Sequence, residues 1–175
     1  MGWRILTYRL AAEASRHRVG IWRELRKAGA VSLQNATWAV PSGAGFDCAL
    51  DRAVGLIERA DGKALVFDVH PTGEATTALE ELYTAEREAE WAEFVSDCAT
   101  FDAELAASVA KDRFTLAELD VEEQSLDRLR RWYRDIRGRD VFGAPSAGPA
   151  EQRLKECVAV LEDFADQVYE ARPRP

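Results

Sequence analysis

The chain opens on a short aromatic and β-branched run, residues 3–8, that predicts a strand; residues 12–28 then place Val19, Trp22 and Leu25 at helical spacing. Gly29 closes that helix. Residues 31–34 and 36–40 predict two strands of a hairpin about Asn35, ended by Pro41-Ser-Gly. Helical spacing returns over residues 46–60 through Phe46, Leu50, Val54 and Ile57, and Asp61-Gly62 turns the chain into a strand over residues 64–69. The order strand, helix, strand, strand, helix, strand is that of the ferredoxin-like split βαβ, with two helices over one face of a four-stranded antiparallel sheet.

Pro71-Thr-Gly73 breaks the pattern, and everything beyond it predicts helix, over residues 75–110, 115–137 and 149–170. Leu126, Leu129, Trp132, Tyr133 and Ile136 make the second of these amphipathic. Leu154, Val158, Leu161, Ala165 and Val168 do the same for the third, with Pro149 near its start. The expected fold class is therefore α+β: a ferredoxin-like βαββαβ half followed by a bundle of about three helices. As domains, residues 1–72 form the ferredoxin-like part and residues 75–170 a helical part packed on it. Arg172-Pro-Arg-Pro175 is a frayed end.

Two arginines fall where apolar residues belong. At 100° per residue Arg18 lies between Trp22 and Leu25, which predicts partial burial and a need for an acceptor, while Arg16, Arg23 and Lys27 gather on another side. Arg87 lies near the middle of the arc formed by Tyr83, Trp91, Phe94, Cys98, Phe101 and Leu105, and should likewise be paired. Each either closes a structural ion pair with a carboxylate or helps bind an anion. Arg16-His17-Arg18 follows Ser15, a candidate N-cap, so cations stand at the positive end of the helix dipole, where a bound oxyanion or an acidic partner would relieve the conflict. Guanidinium forks from both helices could converge on one tetrahedral anion.

Charge narrows the choice. The net charge is −8, yet residues 1–40 hold seven basic residues against Glu13 and Glu24, a net +5 that leaves −13 to the rest. An acidic total disfavours binding to nucleic acid through phosphate neutralisation. Cys48, Cys98 and Cys157 lack the close pairs of zinc or redox motifs and read as reduced thiols. With two histidines, His17 and His70, a histidine-rich metal centre is excluded. Glu86, Glu90, Glu93 and Asp97 line one side of the long helix and read as a solvated acidic face; Asp68-x-His70 reads as a polar strand end. No phosphate loop, dinucleotide fingerprint or nucleophile elbow occurs, so an enzyme is not the favoured class and no cofactor or metal is expected. Neither a signal-like start nor a membrane-length apolar run is present, so a cytoplasmic location is expected.

Residues 15–30, Ser-Arg-His-Arg-Val-Gly-Ile-Trp-Arg-Glu-Leu-Arg-Lys-Ala-Gly-Ala, followed by Leu33-Gln-Asn-Ala-Thr-Trp-Ala-Val-Pro41, are similar to the opening of the ChrB N-terminal domain. Arg87-Glu-Ala-Glu-Trp-Ala-Glu-Phe94, Phe114-Thr-Leu-Ala-Glu-Leu119, Leu129-Arg-Arg-Trp132 and Arg139-Asp-Val-Phe-Gly-Ala-Pro145 extend the resemblance over nearly the whole chain. It implies a part in chromate-responsive gene regulation and a distant similarity to PaaX-type repressors. The winged helix of those repressors is missing here, so specific DNA binding is not expected of this chain alone. Small CRISPR-associated nucleases, a related ferredoxin-like group, use an acidic metal ligand at the end of the first strand, where this chain has Tyr8-Arg9.

The leading expectation is a regulatory protein that senses an oxyanion such as chromate through Arg9, Arg16, Arg18 and Arg87. The alternative is an interaction module whose basic first helix docks an acidic surface, including that of a second copy in a homodimer, with no small ligand. A metal-dependent enzyme using Asp68, His70 and the Glu86, Glu90, Glu93 row is a third.

Overall fold

A computed structural model of the chain describes residues 1–11 and 15–171, without the side chains of Ser15 and Arg16. The expected helical residues 12–14, the capping role of Ser15 and the frayed end 172–175 lie outside what it describes. The chain is α+β, with a four-stranded antiparallel sheet and, among the described residues, five helices. It divides into two compact units, Met1–Tyr83 and Thr84–Pro175, the division falling inside the third helix. No helix among the described residues is long and apolar enough to cross a membrane.

The first unit runs β1 (Trp3–Arg9), α1 (Ser15–Lys27), β2 (Val31–Gln34), β3 (Thr37–Pro41), α2 (Ala44–Arg59) and β4 (Lys63–Val69). The strand order is β2-β3-β1-β4, so the first strand lies inside the sheet, antiparallel to both neighbours. Leu6 of β1, opposite Trp38 and Val66, faces α1 and α2 and forms one core with Ile21, Leu25, Leu50 and Ile57. Each such side chain contributes about 1.5–3 kcal/mol by leaving water. On the other side of β1, Trp3 is buried with its ring edge-on to Tyr83, centroids 5.7 Å apart.

Both helices of this unit end for reasons written in the sequence. Gly29 adopts φ 75°, and its N–H reaches Arg26 O while that of Ala30 reaches Leu25 O, the paired bonds of a Schellman cap. At the end of α2, Asp61 takes the left-handed conformation, and Gly62 N–H returns to Ile57 O. A Cβ on Gly62 would lie 2.9 Å from Arg9 O and 2.7 Å from Leu10 Cδ2, so only glycine lets the end of β1 approach this closely.

One expectation for this unit is overturned. The spacing of Val19, Trp22 and Leu25 predicts Trp22 in the core between helix and sheet, but Trp22 is 50% exposed and Val19 47%, while Ile21, Leu25 and Ala28 form the buried stripe. Arg18, expected inside the arc, is exposed with them. The apolar residues of α1 span a wide arc sharing Leu25, and the sheet selects the side carrying the compact, branched Ile21.

The second unit comprises the later part of α3 (Glu74–Ala110), α4 (Leu116–Arg139) and α5 (Ala147–Glu170). Thr115 caps α4 by accepting from Glu118 N–H at 3.2 Å, in the Thr-x-x-Glu pattern of a capping box. Its core joins Trp91, Phe94, Phe101, Leu126, Leu161 and Phe164 with their neighbours. Trp91 and Trp132 both meet Phe94 edge-to-face, at 6.0 and 5.6 Å between ring centroids.

Glu122 of α4 is buried, and burial, reinforced by the charges of Glu104 and then Glu118, pushes its carboxyl above the usual range. A raised folded-state pKa gives stability that is complete below the unfolded value of about 4.3. It is lost as pH rises through the folded value. Glu122→Gln is therefore expected to melt higher than the natural chain at pH 7, with the advantage shrinking as pH is lowered towards 4. A melting point unchanged at both pH values would show that the Glu122 carboxylate is not disfavoured by its surroundings.

Candidate anion-binding cleft

The end of β1 and the start of α1 border an open cleft of about 590 Å³ in the first unit. Tyr8, Arg9 and Leu10 form one wall. Arg18 and Val19, four and three residues before Trp22 on α1, form another with it. Asn35 and Ala36 of the β2–β3 turn close a third side, tied to β1 by the Tyr8 N–H to Ala36 O bond of 3.0 Å. Left-handed Ala36, φ 57°, makes that turn tight enough to reach the cleft.

The charge here is unbalanced. Arg9 and Arg18 are both exposed, and among the described residues neither has a carboxylate partner. Arg18 Nη2 donates to Ala11 O at 3.4 Å, a long bond that leaves most of the fork open. Arg9 stands directly opposite Lys63 in the sheet register, so its nearest cross-strand neighbour supplies no counter-charge. The first turn of α1 contains no acidic residue.

Of the other expected anion ligands, Arg16 has its side chain outside the described residues. Arg87 is fully buried in the second unit, where its Nε and Nη2 donate to Glu90 Oε2 and Oε1 at 2.9 and 3.1 Å. Arg139 Nη2 reaches the same Glu90 Oε2 at 3.3 Å. The placement of Arg87 thus matches the structural ion pair, and Arg9 and Arg18 share a cleft that belongs to the other unit. Glu90 is 8% exposed, which corrects its assignment to a solvated face: three residues beyond Arg87, it is drawn inward as counter-ion.

Trp22 and Tyr8 were not singled out as site residues. A half-exposed indole beside a cation is the signal, but it exists only once the phase of α1 is known.

Several other polar clusters among the described residues are held by partners within the chain. Asp140, buried at the end of α4, accepts from Trp91 Nε1 at 3.0 Å and from the N–H groups of Gly143 and Ala144 at 3.0 and 2.9 Å. Glu88 accepts from Ser146 N–H and Oγ just before α5. Asp68 pairs with Arg4 at 3.3 Å, and Arg4 also meets Asp47 at 3.1 Å. Among the described residues no group of three or more His, Cys, Asp or Glu is disposed to hold a metal ion. Cys98 and Cys157 are free, buried thiols; Cys157 donates towards Cys98, and that bond together with burial pushes its thiol up, away from the reactive thiolate.

A family model described as Protein ChrB, N-terminal, matches residues 18–174. Arg18 and Arg87 fall inside the match, and Arg9 and Arg16 precede it. No curated protein matches the chain.

Proposed function

The chain belongs to the ChrB N-terminal family, and on that premise we propose that it is a regulatory protein that senses an oxyanion in the cleft between β1 and α1. The family associates the chain with chromate resistance. The observation that carries the sensing role is the meeting of Arg9 and Arg18, exposed and without carboxylate partners among the described residues, on one cavity. Chromate is a tetrahedral dianion, and two guanidinium forks offer it paired N–H donors. Arg87 has no part in this site, since its fork is engaged by Glu90. The same reading takes the first unit as ferredoxin-like, supported by its element order and by two helices on one sheet face. It also takes the location as cytoplasmic.

Thermal unfolding in chromate or sulfate, at matched ionic strength, tests the proposal. A ligand held only by the native state stabilises by mass action, by about 2.7 kcal/mol at one hundred times its dissociation constant. A saturable rise in melting temperature is expected for the natural chain. Arg18→Lys, which keeps the charge but loses the planar fork, should weaken it about tenfold or more, the equivalent of about 1.5–3 kcal/mol for a charged hydrogen bond. A melting temperature indifferent to millimolar dianion would favour the interaction module instead, for which the exposed Val19 and Trp22 on basic α1 are the supporting observation.

A further inference from the structure

The cleft exceeds what a tetrahedral dianion needs. Its volume is about 590 Å³. It falls within the ~300–1,000 Å³ of sites for small organic ligands. The walls beyond the two arginines are largely apolar: Leu10, Val19, Ala36 and the ring of Trp22. Val19 and Trp22 are each about half exposed although α1 has a well-filled core stripe beneath it, so the first unit leaves a flat aromatic surface uncovered beside two cations.

We infer that the cleft takes a small organic anion carrying a flat aromatic ring, with the ring on Trp22 and the anionic end at Arg9 and Arg18. This deepens the preceding reading and rests on its assignment of the cleft as the anion site. Stripe spacing favours the arrangement, because Arg18 and Trp22 are four residues apart on α1 and one ligand can meet both. Stacking on an indole is tolerant of ring identity, whereas the paired arginines demand negative charge. Asn35, whose amide both donates and accepts, stands at the turn where it can meet polar atoms on the ring edge. A simple oxyanion would use the cations and leave the aromatic wall in water.

Calorimetric titration of the full chain with 1-naphthyl phosphate and with adenosine 5′-monophosphate, against inorganic phosphate and adenosine alone, separates the two contributions. At least one of the ring-bearing anions is expected to bind tenfold or more tighter than either phosphate or adenosine. Trp22→Ala should reduce it to the level of phosphate, Trp22→Phe should restore most of the gain, and Arg18→Gln should reduce it to the level of the uncharged ring. Because Trp22 is half exposed, the melting temperature of ligand-free Trp22→Ala should stay close to that of the natural chain, so lost binding is not lost folding. Ring-bearing anions no tighter than phosphate, or a gain that survives Trp22→Ala, would overturn the inference. Chromate run alongside keeps the two proposals apart. Chromate binding without a ring increment removes the inference and leaves the oxyanion sensor; a ring increment without chromate binding does the reverse.

Discussion

Glu90→Gln is expected to destabilise the protein by about 3–5 kcal/mol, the typical loss when one partner of a buried ion pair is removed. The substitution preserves size and shape, so the loss combines the missing charge with an amide NH₂ turned towards guanidinium donors. Glu90 accepts two bonds from fully buried Arg87 and a third from Arg139, and neutralising it removes a carboxylate that three guanidinium N–H bonds address in a low-dielectric interior. The denaturation midpoint should fall with the slope unchanged. Replacing both partners, Arg87→Met with Glu90→Leu, should cost less than the sum of the single changes, because the fully buried Arg87 charge is then removed together with its acceptor and only the more exposed Arg139 loses a contact. A midpoint nearly unmoved by Glu90→Gln would mean that Arg87 draws its counter-charge from elsewhere.

Asp140→Ala should cost nearly as much, about 3–5 kcal/mol, by a different route. Its carboxylate serves the Trp91 indole N–H and the backbone N–H groups of Gly143 and Ala144, and each buried donor left unmet costs about 1–3 kcal/mol. The residue also ends α4, so it joins the helix terminus, the following turn and the aromatic cluster through one side chain. Asp140→Asn keeps one acceptor oxygen but turns an NH₂ group towards donors, so its effect should be intermediate. Equilibrium denaturation followed by near-ultraviolet circular dichroism reads both quantities, since Trp91 reports on its own environment. If Asp140→Ala unfolds at the natural midpoint, the turn finds other acceptors and the side chain is not its organiser.

The inward arginine of the long helix was legible in advance, because Arg87 occupies the middle of an apolar arc and a buried guanidinium requires an acceptor. Its partner was legible only in part. Glu90 sits three residues on, close enough to follow Arg87 inward, yet the regular spacing of Glu86, Glu90, Glu93 and Asp97 equally describes a solvated row. Asp140 gave no signal beforehand, since its three donors come from α3 and from the turn that follows it, and only folding brings them together.

By itself the sequence determined the succession of elements and their ends. Period and punctuation are local properties: β-branched and aromatic runs make strands, apolar spacing makes helices, and Gly29, Asp61-Gly62 and Thr115 stop or start them through bonds within a few residues. Tertiary structure decided which side of α1 faces inward. A helical period sets the repeat of a stripe but not its origin when Val19, Ile21, Trp22 and Leu25 are all apolar, and contact with Leu6 and the sheet buried Ile21 and Leu25 rather than Trp22. That choice of phase also decided the candidate site. It brought Arg18 and Trp22 out to meet Arg9 at the end of β1, a juxtaposition of residues on separate elements that no local pattern encodes.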